Sequence, residues 1–306
     1  MVEIRAPFVV NIDLTNRCNL SCKYCYAANR EAEVTDIQTD VCIALIDELF
    51  TEHGVFHITI AGGEPLLYSG IFQILNISFG QYWEKMVLLS NGTPLLNNKF
   101  FDRFSAVCHT LDSQKKLLEM QISLDSHLPE IHNLQRDRGD LVLTAIQRAL
   151  HLPIRLQLAC VVTKHNIHVA DKIIDAFYPR VMNFHYMNIM PSIGRSHGEI
   201  YWDLMPNNRQ IDDFHRRILE KEKRYNPIRI TKIKRDCNVE GGTIQAKGCL
   251  AGTTRIDIKP NLDVMACCMS NEKLGNLCEQ SFQDIWYSEQ AEKIRAASKP
   301  YCFTWI

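Results

Sequence analysis

Cys18, Cys22 and Cys25 stand in the spacing Cys-x3-Cys-x2-Cys. Thiolates are soft ligands, and three within eight residues can wrap one iron–sulfur cubane. Three ligands for four irons leave one iron open. A structural cluster would want four protein ligands, so an open iron implies a site for something else. A zinc knuckle or chance spacing is the blander reading. Zinc sites pair Cys-x2–4-Cys with a second Cys/His pair downstream, and no histidine lies near this triplet. Six further cysteines (Cys237, Cys249, Cys267, Cys268, Cys278 and Cys302) fall in the last 70 residues, half of the 12 in the chain. In a reducing compartment such clustering points to metal or catalysis rather than to disulfides. Cys42, Cys108 and Cys160 lie inside helix or strand patterns and read as core.

These residues need elements to hold them. Phe8–Leu14 reads as a strand running into the triplet. Short apolar runs at 56–61, 86–89, 120–124, 156–162 and 181–190 read as further strands. Segments 40–50, 71–77, 99–107, 141–150 and 169–177 have helical spacing. Six strand–helix repeats predict a parallel sheet, because parallel strands need crossover helices. Six units rather than eight predict an α/β partial barrel, a (β/α)6 TIM-like fold, with its chemistry at the C-terminal strand ends. The pattern changes after Pro191. A polar helix follows at 207–224, then a hairpin around Lys259-Pro260-Asn261 and a last helix at 281–297. The expected division is a barrel over 1–195, a linker helix over 196–225 and a small cysteine-rich domain over 226–306.

The strand ends carry polar groups, as that rule requires. Gly62-Gly63-Glu64-Pro65 closes the second strand, Ser90-Asn91-Gly92 the third and Ser123-Leu124-Asp125 the fourth. Glycines there let backbone approach a ligand, and a carboxylate can meet an ammonium. The duller readings are a strand-ending turn, a helix cap at Asp125 and solvated loop polar groups.

Together these residues resemble the radical S-adenosylmethionine (radical SAM) superfamily. Its signature is Cys-x3-Cys-x-aromatic-Cys, here Cys18-Asn-Leu-Ser-Cys22-Lys-Tyr24-Cys25. The resemblance implies a 4Fe-4S cluster on the triplet and SAM on the open iron. Reductive cleavage of SAM then yields a 5′-deoxyadenosyl radical that takes a hydrogen atom from the substrate. It implies that the Gly62–Pro65 motif contacts the methionine amine of SAM and that Tyr24 lies beside the adenine. Ser123 and Arg136 would serve the ribose or carboxylate, with Ser90, Asn91 and Asp125 completing the SAM site. A core tyrosine is the plain alternative for Tyr24.

The segment Lys247-Gly-Cys249-Leu-Ala-Gly252, the hairpin, Ala266-Cys267, Leu274–Leu277 and Asp284-Ile-Trp286 resembles the SPASM/Twitch extension, which holds auxiliary Fe–S clusters. The chain lacks the terminal Cys-x2-Cys-x5-Cys run of a full SPASM domain, so one auxiliary cluster is expected. Its ligands would be Cys249, Cys267 and Cys302, with Cys237, Cys268 or Cys278 as a fourth, or with no fourth protein ligand. A cysteine outside the clusters (Cys268, Cys278 or Cys237) would be the hydrogen donor of an epimerase. Electron loss from the substrate radical would instead give an oxidised product. His185 reads as core or pocket lining.

The resemblance to Twitch enzymes favours a small polar substrate such as an aminosugar. The triplet begins at Cys18, which leaves no room before it for a peptide-recognition domain. A ribosomal-peptide maturase is the alternative, and a non-catalytic Fe–S or zinc scaffold the reading of another class. The reductant would be a flavodoxin or ferredoxin. With 34 basic and 35 acidic residues the net charge is −1, so no global field draws nucleic acid or anionic lipid. The N-terminus lacks a basic start followed by an apolar run, and no stretch reaches membrane-spanning length. A soluble cytoplasmic protein is expected.

Overall fold

A computed structural model describes residues 5–25, 33–76, 85–116, 118–188, 204–233, 239–240, 243–244, 251–268 and 272–296. Six strands alternate with helices in its first part: β1 (Val9–Asp13), β2 (His57–Ala61), β3 (Lys85–Ser90), β4 (Leu118–Ser123), β5 (Arg155–Val162) and β6 (Asn183–Asn188). All pair in parallel, in sequence order. The α/β partial barrel expected from the strand–helix repeats is therefore present. Helix α1 (Thr39–Thr51) buries Cys42, Leu45, Ile46, Leu49 and Phe50, the residues whose spacing predicts it. A second long helix, Asn98–Ser113, buries Phe104, Val107, Cys108 and Leu111.

Two features extend the sheet. A seventh strand, Arg229–Thr231, follows helix Asn208–Arg224 and pairs in parallel with β6. The C-terminal hairpin, Arg255–Ile258 with Asp263–Met265, lays its first strand in parallel against β1. A further strand, Lys273–Asn276, makes the outer edge, so ten strands form one sheet from end to end.

Alternation along the strands separates two faces. Val10, Ile12, Ile58, Ile60, Met86, Leu88, Met120, Ile122, Leu156, Leu158, Phe184, Tyr186, Ile256 and Ile258 join the helices in one hydrophobic core. The opposite parity carries Asn11, Asp13, Lys85, Glu119, Gln157 and Asp257, and it faces the barrel interior. At the N-terminal ends of the strands this interior is closed by ions. Glu119 is 1% exposed and pairs with Lys85 (2.7 Å) and Arg155 (2.8 Å), and it accepts a hydrogen bond from Gln157 Nε2. His57 belongs to the same floor; burial, then the charges of Lys85 and Arg255, push its pKa down to about 4.

Candidate active site

The cysteine loop leaves β1 and is pinned by the ends of the next three strands. From β2, Gly63 N–H donates to Thr15 O and Glu64 N–H to Arg17 O, both at 2.7 Å. Gly62 has φ +119°, and a Cβ there would lie 2.4 Å from Thr15 O. A Cβ on Gly63 would lie 2.1 Å from Arg17 O. These glycines admit the backbone of the cysteine loop itself.

Glu64 is 1% exposed, and its carboxylate is occupied within the fold. Oε1 accepts from Ser90 Oγ (2.7 Å) and Leu66 N–H (3.1 Å), and Oε2 from Asn91 N–H (2.7 Å). Burial raises its pKa to about 7 against these three lowering bonds. Its observed role is to lock the end of β2 to the end of β3, with Pro65 starting the 3-10 turn that follows.

Asn91 carries the third strand's contribution. Its Nδ2 donates to Asn19 Oδ1 (2.9 Å) and lies 4.0 Å from Cys18 Sγ, while Leu20 N–H points at the same sulfur from 3.5 Å. From β4, Asp125 is fully buried. Its carboxylate accepts from Tyr24 Oη, from Arg136 Nε at 3.0 Å and from Val161 N–H at 3.0 Å. Arg136 Nη1 reaches Cys22 Sγ at 3.8 Å. Ser123 stands half-buried on the interior face at the end of β4. Three groups with no motif to mark them also hold the loop. Asp36 binds Thr15 and Arg17, Asp137 accepts from Ser21 N–H, and Gln135 O accepts from Lys23 N–H.

The donor set suits a cluster. Burial pushes the Cys18 thiol up to about 11, and it raises Cys22 with Arg136 pulling the other way. Bare thiols here hold their protons, and bound iron must displace them. Each of these two sulfurs has an N–H group aimed at it, which suits a sulfur that carries charge.

Residues 12–177 match the radical SAM superfamily. The chain belongs to that family. Residues 249–304 match the SPASM iron–sulfur cluster-binding domain. The chain is 26% identical to the antilisterial bacteriocin subtilosin biosynthesis protein AlbA of Bacillus subtilis, over 97% of its own length and 63% of AlbA's. It is 24% identical to the mycofactocin maturase MftC of Mycolicibacterium smegmatis, over 95% of this chain and 73% of that one. It thus spans about two thirds of these curated relatives. Among solved structures, Streptococcus suis SuiB bound to its precursor peptide SuiA superposes with a TM-score of 0.76 at 17% identity, covering 96% of this chain and 67% of SuiB. The fold is shared with anSMEcpe bound to AdoMet and a peptide, at a TM-score of 0.69 and 17% identity over 94% of this chain and 82% of that one.

Radical SAM enzymes carry a 4Fe-4S cluster and SAM, and a SPASM domain carries auxiliary Fe–S clusters. Of the expected auxiliary cysteines, Cys237, Cys249 and Cys302 lie outside the described residues. Cys267 and Cys268 follow the second hairpin strand. Its neighbour Cys267, then burial, hold the Cys268 thiol well above its usual range. Both thiols feel Asp257, which faces the barrel interior. Cys278 is exposed on the turn after the outermost strand, on the far side of the hairpin from β1. Cys42, Cys108 and Cys160 are buried, as their core reading requires. Sequence reasoning missed a triad on the β1 wall. Lys259 pairs with Asp13 (2.8 Å) and with Asp257, one cation between two buried carboxylates. Burial, then the charge of Asp13, raises Asp257 to about 8. A charged residue at an inward-facing strand position was the signal available. Among the described residues no helix is long and apolar enough to cross a membrane.

Proposed function

We infer that this radical SAM enzyme modifies a peptide. The observation that carries the reading is the similarity, over 95–97% of this chain but only 63–73% of theirs, to a bacteriocin biosynthesis protein and a maturase, on the fold of an enzyme solved with its precursor peptide. It displaces the aminosugar favoured by the sequence alone. The barrel interior supports the change. Its half-exposed, inward-facing side chains above the ionic floor are Asn11, Leu89, Gln121, Ser123, His185 and Met187. Burial lowers the His185 pKa and keeps the imidazole neutral. Two of these side chains, Asn11 and Gln121, are amides, which can pair with a peptide backbone.

The bound cluster and SAM supply a radical that removes one hydrogen atom from a substrate carbon. The chain's residues fix where this happens. Glu64, Asn91 and Asp125 hold the cysteine loop over the C-terminal mouth of the barrel, and the Glu119 cluster closes its other end. The favoured outcome is oxidation. Cys267 would help hold an auxiliary cluster, which would supply the one-electron acceptor this oxidation needs, and the substrate would release a proton as the new bond forms. Cys268, a thiol held protonated by Cys267 and by burial, favours a second outcome. There, Cys268 would return a hydrogen atom from the opposite face to give an epimer, and its thiyl radical would take one electron from the added reductant and one proton from water.

The test reconstitutes the protein anaerobically with iron and sulfide, then adds dithionite, SAM and short peptides encoded beside its gene. Formation of 5′-deoxyadenosine with a peptide that has lost two hydrogens supports oxidation. Unchanged composition in water, with one deuterium gained from D2O, supports epimerisation. Turnover of an aminocyclitol but of no peptide would overturn the substrate class.

A further inference from the structure

Arg136 is a buried cation whose two sides do different things. Its Nε side is committed to Asp125 at 3.0 Å, and its Nη1 side reaches the sulfur of a cluster ligand, Cys22, at 3.8 Å. The guanidinium carbon lies 5.2 Å from the ring centroid of Tyr24, whose hydroxyl donates to the same Asp125. Two residues of the cysteine loop, Cys22 and Tyr24, are thus tied to one buried ion pair. The side chain of Arg136 is 12% exposed and that of Asp125 is 0% exposed.

Holding a loop does not require such a pair. Burying two charges carries a large desolvation penalty, and a well-packed apolar pair would hold the loop as well. What an apolar pair cannot do is place positive charge beside an iron–sulfur ligand. Adding an electron to a cluster in a poorly solvated site is opposed by the thiolate charge. A cation and N–H donors at the sulfur favour the reduced form. Asp125 acts in the opposite sense, but its oxygens are engaged by Tyr24, Val161 and Arg136, whereas Arg136 Nη1 reaches the sulfur itself.

We propose that Arg136 is the positioning residue that sets the reduction potential of the catalytic cluster, through Cys22, and that Asp125 aims it. The inference rests on the family assignment of the triplet and adds a role for a residue that the resemblance links to SAM. It concerns one-electron reduction of the cluster alone, before SAM or substrate is bound.

The experiment is a redox titration of the reconstituted holoenzyme followed by electron paramagnetic resonance, without substrate. The catalytic cluster is identified as the signal that changes when SAM is added. The auxiliary signal serves as an internal control. In Arg136→Gln the cation is lost and Asp125 remains, so the catalytic cluster becomes harder to reduce. At the wild-type midpoint, where half is reduced, its reduced-to-oxidised ratio should fall at least tenfold, about 59 mV for a one-electron couple. Arg136→Lys keeps the charge and should shift less. Asp125→Asn removes the opposing charge while its amide oxygen still accepts from Arg136 Nε and keeps the cation aimed, so the potential should shift the other way, which a merely damaged loop would not do. Where Arg136→Gln fails to bind iron, the Lys and Asn variants carry the test by the sign of their shifts. A catalytic potential unchanged in all three, or an auxiliary signal that moves equally, overturns the proposal. So does loss of SAM affinity at constant potential, which would return Arg136 to a SAM contact. Absence of any SAM-sensitive signal in the wild type would count against the family reading instead.

Discussion

Replacing Gly63 with alanine should detach the catalytic cluster while leaving the barrel folded. The new Cβ would lie 2.1 Å from Arg17 O and 2.5 Å from Arg17 C. Ordinary carbon contacts need roughly 3.5 Å, so the loop must retreat by more than 1 Å. That retreat breaks the bonds from Gly63 N–H to Thr15 O and from Glu64 N–H to Arg17 O. Two backbone hydrogen bonds at about 1 kcal/mol each, plus about 1–3 kcal/mol of overpacking, give about 3–5 kcal/mol. A domain with typical stability of about 5–15 kcal/mol survives this, but the loop does not keep its geometry. The assay is iron per chain after reconstitution, alongside a thermal melt. The catalytic cluster's share of iron should be lost and the auxiliary share retained. Gly54→Ala is the control. Gly54 has φ +64° and nothing within 4 Å of an added Cβ, so the change should cost about 1 kcal/mol and no iron. Full iron with an unshifted melt in Gly63→Ala, or equal iron loss in Gly54→Ala, would refute this reasoning.

Three further outcomes follow from the geometry. Glu119→Ala strands Lys85 and Arg155 on the barrel floor; because both cations reach solvent, the cost should be about 2–3 kcal/mol in chemical denaturation, below that of a sealed pair. His132 is fully buried, and burial pushes its pKa down to about 4 from 6.5. The unfolded chain therefore binds more protons between these values. Stability is full above pH 6.5 and falls as pH drops toward 4, by about 3 kcal/mol from this residue, and denaturation curves of His132→Phe should flatten in that window. Cys267→Ala should lose auxiliary iron, measured as iron per chain, whereas Cys278→Ala should match the wild type because that thiol sits exposed at the sheet edge.

The chemistry was legible in the sequence because its ligands are local. Cys18, Cys22 and Cys25 span eight residues, and the chain alone brings them together. The strand–helix repeats were legible because burial on one face imposes a period that composition must obey. The polar strand ends could be listed from the same rule, but not what they touch. The Gly62-Gly63 pair packs on the returning loop and Glu64 bonds Ser90 and Asn91, contacts that no spacing states. Arg136 meets Cys22 across 114 positions, and Lys259 meets Asp13 across 246. The parallel pairing of the hairpin with β1 is likewise invisible in either segment, since a strand's hydrogen bonds specify no partner until edges meet. Only tertiary structure decided these contacts, because each joins groups whose pairing depends on the packing of everything between them. The sequence determined that a cluster would form; the fold determined which charges surround it.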